Sequence, residues 1–140
     1  MMGIAGDRYR SSPQTLLVWP MLGHERLRVW RLSHELTLAI YRSTGDWPAE
    51  ERYGLTAQIR RAAAAVATNL AEGAAKHGPR EFRRYTDIAL GSIAEVAYLL
   101  LLARDLGILT EAEFARLDDL RKRTGGLTWR LARALDSSRP

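Results

Sequence analysis

Four long segments of this 140-residue chain place apolar residues at helical spacing, and this period constrains the fold more than any other feature. Apolar side chains three and four residues apart share one face of an α-helix, whereas a half-buried strand alternates apolar and polar residues. We therefore expect an all-α chain of four helices. The segments run from about Glu25 to Ser43, Ala49 to Gly73, Pro79 to Leu106 and Thr110 to Asp136.

Breaks between the segments carry the residues that begin and end helices. Pro48 interrupts the pattern after the first helix, and Pro79 suits the first position of the third. Gly107 can end that helix, and Thr110 with Glu113 has the capping-box spacing that opens the fourth. Because short links place neighbouring helices antiparallel, the expected architecture is an up-down-up-down four-helix bundle.

Each predicted helix has one apolar face that we expect to point inward. Gly125 and Gly126 lie within the fourth helix, and the sequence leaves open whether they interrupt it. The predicted inward residues are Val29, Leu32, Leu36 and Ile40; Leu55, Ile59, Ala62, Val66 and Leu70; Phe82, Tyr85, Ala89, Ile93, Val96, Leu100 and Ala103; and Phe114, Leu117, Leu120, Leu127, Leu131 and Leu135.

The helical pattern predicts one domain, a bundle over residues 25–136, with an extension at 1–24 and a tail at 137–140. "QTLLVWPML" (14–22) only faintly imitates a signal peptide, because it contains Pro20 and lacks a small-residue cleavage site. Whether residues 1–20 belong to the native protein stays open. We expect no membrane span, since no apolar run approaches the roughly 20 residues that one needs. The lack of cysteine fits a reducing cytoplasm.

Motifs for common catalytic and metal chemistry are missing from the sequence. There is no cysteine, no G-x-S-x-G nucleophile elbow and no phosphate-binding P-loop. His24, His34 and His77 lack the spacing of metal ligands, so the dimetal site common in four-helix bundles is not expected. We predict a protein that is not an enzyme and uses no metal or cofactor.

The alanine-rich stretch "RRAAAAVATNLAEG" (60–73) predicts close packing of the second and third helices. Six alanines keep side-chain bulk low, and Gly91 in the third helix points the same way. If the helices fold back near Lys76, Asn69 lies beside Arg83, and Glu72 lies beside Arg80. Arg61 would then meet Ser92 or Glu95. The expected result is a structural polar seam of Arg61, Asn69, Glu72, Ser92 and Glu95.

Basic residues form two groups in a chain of net charge +5 that has nineteen arginines and two lysines. Arginine binds phosphate well, and an ordinary solvated surface explains such groups equally well. The candidate nucleic-acid-binding residues are Lys76, Arg80, Arg83 and Arg84 at the corner of helices two and three, and Arg116, Arg123, Arg130 and Arg133 along helix four.

The stretch "VAYLLLLA" (96–103) predicts self-association. Four consecutive leucines cover every side of one helical turn, whereas a monomeric bundle buries only one stripe of a helix. The predicted oligomer interface consists of Trp30, His34, Tyr41, Tyr98, Leu99, Leu101 and Leu102.

Several blocks of the chain resemble the four-helix-bundle family of 23S rRNA-intervening-sequence proteins, to which the accessory variability protein of diversity-generating retroelements is related. The blocks are "LRVW" (27–30), "ERYGLTAQIRRA" (51–62), "TNLAEG" (68–73), "REFRRY" (80–85) and "IALGSIAEV" (88–96). The resemblance spans about residues 26–135. It implies a ring-like homo-oligomer, a pentamer in this family, that is associated with RNA and has no enzymatic activity.

Two functions follow from the sequence and the resemblance together. The leading expectation is a non-catalytic, oligomeric RNA-binding adapter that holds phosphates with little sequence readout. The alternative is a protein-interaction scaffold, such as an accessory subunit that docks a reverse transcriptase. Neither the RNA nor the partner can be named from the sequence.

Overall fold

The computed structural model describes residues 24–137, which form four helices packed against one another. The predictions for residues 1–23 and 138–140 lie outside the described residues. Within the described part of the chain there is no strand, so the expected all-α class is confirmed. The helices are α1 (His24–Ser43), α2 (Leu55–Ala74), α3 (Pro79–Asp105) and α4 (Glu111–Ser137), with short 3₁₀ turns at Thr44–Asp46 and Ala49–Glu51.

Glycine, proline and a threonine cap mark the ends of α3 and the start of α4. Gly78 and Gly107 have positive φ angles of 85° and 74°, next to the start and end of α3. Pro79 occupies the first turn of α3. The Thr110 hydroxyl accepts a hydrogen bond from the Glu113 amide at 3.1 Å and caps α4.

The predicted start of α2 at Ala49 is wrong by six residues. Ala49–Glu51 is a 3₁₀ turn, and α2 begins only at Leu55. The Glu51 carboxylate accepts a hydrogen bond from the Leu55 amide at 2.9 Å, so it satisfies a donor that has no partner within the helix. The acidic residue therefore caps α2 instead of lying inside it.

α4 is continuous through Gly125 and Gly126, which answers the question that the sequence left open. A Cβ atom at Gly125 would lie 3.4 Å from Ile93 Cγ2, so this glycine helps α4 to approach α3. Thr124 and Thr128 are fully buried in α4 and were not predicted to be inward. Each donates its hydroxyl to the carbonyl four residues earlier, which satisfies the polar group inside the core.

Two hydrophobic clusters form the core, and both draw on all four helices. The first joins the second halves of α1 and α3 to the first halves of α2 and α4, and the second joins the remaining halves. Large residues of the first cluster are Leu36, Ile40, Leu55, Ile59, Leu100 and Leu117. Those of the second are Val29, Trp30, Val66, Leu70, Phe82, Ile93, Leu131 and Leu135.

α3 combines a buried face with an exposed apolar face. Eight of its residues are buried in the core. Its opposite side, here called the outer face of α3, exposes Ile88, Gly91, Ala94, Tyr98 and Leu101. By length and composition alone α3 could cross a membrane, so the expectation that no apolar run reaches that length is wrong. The core helix of a globular protein passes the same test.

Candidate nucleic-acid interface

The predicted corner brings two of its basic residues, Lys76 and Arg84, to Tyr85 at the start of α3. The Lys76 ammonium lies 5.6 Å from the centre of the Tyr85 ring, and the Arg84 guanidinium lies 4.7 Å from it. Arg84 also pairs with Glu81 at 3.2 Å, and this hydrogen bond raises its pKa. Arg80 is exposed and has no ion pair within the described residues. Part of the corner charge is therefore already paired.

Arg83 connects α3 to α4 instead of facing a ligand. It pairs with Asp87 one turn along α3, and with Asp136 of α4 at 3.1 Å. These bonds raise the pKa of Arg83, chiefly through the hydrogen bond to Asp87. With two carboxylates beside it, Arg83 offers little free charge to a phosphate.

The predicted basic stripe on α4 also separates into arginines that contact other side chains of α4 and arginines that line a groove. Arg116 pairs with Glu113 at 3.2 Å, and the Arg133 guanidinium lies 4.9 Å from the centre of the exposed Trp129 ring. Arg123 and Arg130 instead line an open groove between α4 and α1. Glu113 and Trp129 lie three and four residues before their arginines on α4, a spacing that the sequence shows. The groove, in contrast, depends on the packing of α1 against α4.

This α1/α4 groove has a volume of about 390 Å³. Its cations come from both helices, and none of the described residues that line it is acidic. The sequence pattern does not indicate Arg28, because only the packing of α1 against α4 brings it to the stripe. The groove is lined by Arg28, Leu32, Lys122, Arg123, Gly126, Leu127 and Arg130.

Three of the four cations in the α1/α4 groove are available to bind an anion. Arg28, Arg123 and Arg130 are exposed and form no hydrogen bond or ion pair within the described part of the chain. Lys122 is paired with Asp118 at 3.4 Å. Guanidinium groups bind phosphate oxygens in a bidentate geometry, so the groove is chemically suited to a phosphate backbone.

The predicted polar seam between α2 and α3 does not form. The Asn69 amide donates to the carbonyl of Ala65 at 2.8 Å, within α2, while Arg83 pairs with carboxylates. Within the described residues, the remaining members make no side-chain hydrogen bond. Glu72, Arg61 and Glu95 are exposed, and Ser92 is half-buried. The mid-helix Gly91 likewise faces open space instead of α2.

Close approach of α2 and α3 occurs at Gly73, the last residue of the quoted stretch. A Cβ atom there would lie 2.7 Å from Tyr85 Cβ and 3.1 Å from Phe82 Cδ1. Tight packing of these helices was predicted from the alanine-rich stretch and from Gly91; the closest glycine contact is at Gly73, and Gly91 does not contribute to it.

The residues of the predicted oligomer interface lie in different parts of the fold. Trp30 and Leu99 are only 7% and 4% exposed and belong to the core, so in the single chain they leave almost no surface for a partner. Leu102 is half-buried against the first cluster, whereas Tyr98 and Leu101 lie on the outer face of α3. Tyr41 is half-buried, with the Arg60 guanidinium 4.6 Å from its ring centre.

His34 stacks on Trp30, with ring centres 5.3 Å apart. Both rings line a second open groove, between α1 and α2, of about 410 Å³. Burial lowers the pKa of His34, and the nearby Glu35 carboxylate partly opposes the effect. Among the described residues no three His, Asp or Glu side chains are grouped to hold a metal ion.

Comparison with known proteins identifies the family of the chain. The family model described as "23S rRNA-intervening sequence protein" matches residues 25–128, well over half of the chain. No curated protein matches the sequence. The chain therefore belongs to the family of 23S rRNA-intervening sequence proteins, as its sequence motifs indicated.

Proposed function

We propose that this protein is a non-catalytic RNA-binding adapter that works in the cytoplasm as a homo-oligomer of antiparallel, up-down-up-down bundles. The observation that carries the proposal is the α1/α4 groove, in which Arg28, Arg123 and Arg130 have no acidic partner within the described residues. Membership of a family named for an rRNA insertion makes RNA the polyanion to test first.

Phosphate recognition in this groove needs no base contact. Each guanidinium that neutralises a phosphate releases condensed counterions, and this release supplies binding free energy regardless of sequence. The cations are on two helices held together by the core, so the positions of their backbones are fixed before RNA binds, while the exposed guanidinium groups can adjust to the phosphates. The groove thus suits an adapter that binds many RNA sequences with similar affinity.

The experiment compares two variants that lose the same charge. Arg123→Gln/Arg130→Gln removes cations from the α1/α4 groove, and Arg52→Gln/Arg61→Gln removes two exposed cations elsewhere. We expect the groove variant to bind a labelled single-stranded RNA at least roughly tenfold more weakly, and the control to bind it nearly as the parent does. Fluorescence anisotropy titration measures both. Equal affinities for the two variants would exclude the groove as the RNA site.

Self-association is supported by the outer face of α3. Ile88, Tyr98 and Leu101 are 42%, 60% and 37% exposed in the single chain, on a face of α3 that also carries the exposed Glu95. Burial of these three apolar side chains would favour a subunit contact. Gly91 lies among them, and none of the described residues comes within 4 Å of its Cβ position. A glycine in mid-helix costs about 1 kcal/mol relative to alanine, and close approach of a helix from another subunit would explain it. A ring-like pentamer would repeat the α1/α4 groove around one RNA.

The oligomer test also has a matched pair of variants. Tyr98→Glu places a charge on the outer face of α3, whereas Tyr53→Glu makes the same change at a residue that is 90% exposed before α2. Light scattering should show an oligomer for the parent and for Tyr53→Glu, and smaller species for Tyr98→Glu. A parent chain that is monomeric at micromolar concentration would contradict self-association and leave the outer face of α3 to a different protein, as the scaffold alternative requires.

A further inference from the structure

Trp129 is the most exposed tryptophan in the described part of the chain, with 53% of its surface accessible. It lies on α4, one turn from Gly126 and two turns from Lys122, both of which line the α1/α4 groove. Residues three, four and seven apart share a helix face. Trp129 is not one of the residues that line the groove, but its position on α4 is on the side that carries Lys122 and Gly126, next to the groove edge. The family match ends one residue before it.

Within the part of the chain that the structure describes, no packing contact accounts for a large aromatic side chain being exposed here. Trp129 belongs to neither hydrophobic cluster, whereas Trp30 is part of the core and Trp47 packs against it. Its partner is Arg133, whose guanidinium lies over the ring at 4.9 Å. A guanidinium over an aromatic ring orients the indole and adds positive charge beside the groove.

An aromatic ring next to a row of cations has the composition of a single-strand binding surface. Cations hold the phosphates, while an unpaired base stacks on the ring. Bases of a duplex are stacked on one another and cannot reach such a ring. The arrangement thus distinguishes single-stranded from double-stranded RNA without reading its sequence.

We infer that the α1/α4 groove binds single-stranded RNA and that Trp129 stacks on an unpaired base next to the phosphates that Arg123 and Arg130 hold. This inference rests on the proposed function, because it takes the groove to be the RNA site. It adds to that proposal that the bound RNA is single-stranded and that Trp129 selects it.

The test uses oligoadenylate and an RNA duplex of equal length with the full-length protein. Trp129→Leu should weaken binding of oligoadenylate by roughly tenfold and leave binding of the duplex almost unchanged. Trp129→Phe, which keeps an aromatic ring, should retain most of the affinity. Tyr53→Leu removes an exposed aromatic residue far along the chain from the groove and serves as the control. Light scattering verifies that each variant keeps the parent assembly.

Tryptophan fluorescence supplies a second measurement that a purely structural role would not affect. Oligoadenylate should quench the emission of the parent more than that of Trp129→Phe, because a base stacks on the indole only in the parent. Equal quenching of the two proteins would overturn the inference even if Trp129→Leu failed to fold.

The two proposals fail in different ways. If Arg123→Gln/Arg130→Gln weakens RNA binding but Trp129→Leu binds both RNAs as the parent does, stacking is wrong and the groove remains the site. An equal loss of affinity for oligoadenylate and duplex in Trp129→Leu also contradicts stacking. If the groove variant binds both RNAs as tightly as the parent, the proposed function fails at this site together with the inference.

Discussion

Arginine side chains in this protein differ in whether a carboxylate already neutralises them. Arg83 has Asp87 and Asp136 as partners, and Arg116 has Glu113. Arg123 and Arg130, on the same helix as Arg116, have no such partner within the described residues. Exposed ion pairs add little stability, but they decide which cations a polyanion can use. The free arginines, more than the net charge, therefore locate the candidate RNA site.

Protonation of His34 should lower stability in mildly acidic solution. Burial beside Trp30 lowers its pKa in the folded chain below the usual 6.5. The unfolded chain then takes up the proton at a higher pH than the folded chain does. Stability is thus complete above the unfolded pKa and falls as the pH decreases through about 6.5 towards the folded pKa.

The measurement is the melting temperature of parent, His34→Gln and His77→Gln between about pH 7.5 and about pH 5. We expect the decrease on acidification to be smaller in His34→Gln, and to be unchanged in His77→Gln, whose histidine is exposed. Glu113 acts in a separate range, because its hydrogen bond from Ser43 lowers its pKa below 4.5 and its effect appears at lower pH. Parallel melting curves for parent and His34→Gln would contradict the role of His34.

At the scale of the helices, sequence periodicity carried most of the information about the fold. All predicted inward residues of α1 and α2 are buried. Each set lies on one face of its helix, and that face packs against the core. The start of α2 was missed because a 3₁₀ turn also brings residues three apart together, and the cap from Glu51 has no standard sequence pattern. The polar seam failed because Asn69 found a partner within its own helix.

The contact of α2 with α3 depends on Gly73. An added Cβ atom would collide with Tyr85 Cβ, which cannot move without its backbone. We expect Gly73→Ala to destabilise the protein by about 1–3 kcal/mol, as overpacking does. Gly126→Ala is the matched control: its Cβ position is open, and alanine favours the helix by up to about 1 kcal/mol.

Urea denaturation at one protein concentration measures both changes. The prediction is lower stability for Gly73→Ala, and equal or higher stability for Gly126→Ala. If Gly73→Ala were as stable as the parent, the helices would be able to separate slightly at no cost, and the tight contact at Gly73 would not be a determinant of the fold.

At the scale of the whole molecule, the candidate site could be predicted only in part. The stripe on α4 contributed Arg123 and Arg130, because helical spacing is visible in sequence. Arg28 reaches the same groove from α1, and which helices lie side by side is a property of packing that no single periodic pattern specifies. Trp129 could have been noticed as an aromatic residue within a basic helix, yet its exposure depends on the neighbouring helices.

Assembly would allow a small site on each subunit to bind RNA tightly. A single α1/α4 groove offers three free arginines, which is a modest site. Assembly through the outer face of α3 would repeat the groove, and linked sites bind one polyanion more tightly than separate ones do. We therefore expect self-association and RNA binding to be coupled, and Tyr98→Glu to weaken RNA binding along with assembly.

The salt dependence of RNA affinity measures phosphate binding in the α1/α4 groove directly. For single-stranded RNA, the log–log slope of the association constant against salt is about −0.7 for each neutralised phosphate. Loss of two phosphate contacts in Arg123→Gln/Arg130→Gln should make the slope less steep by about 1.4 or more, whereas Arg52→Gln/Arg61→Gln should keep the slope of the parent. Identical slopes for the groove variant and the parent would contradict phosphate binding in the α1/α4 groove.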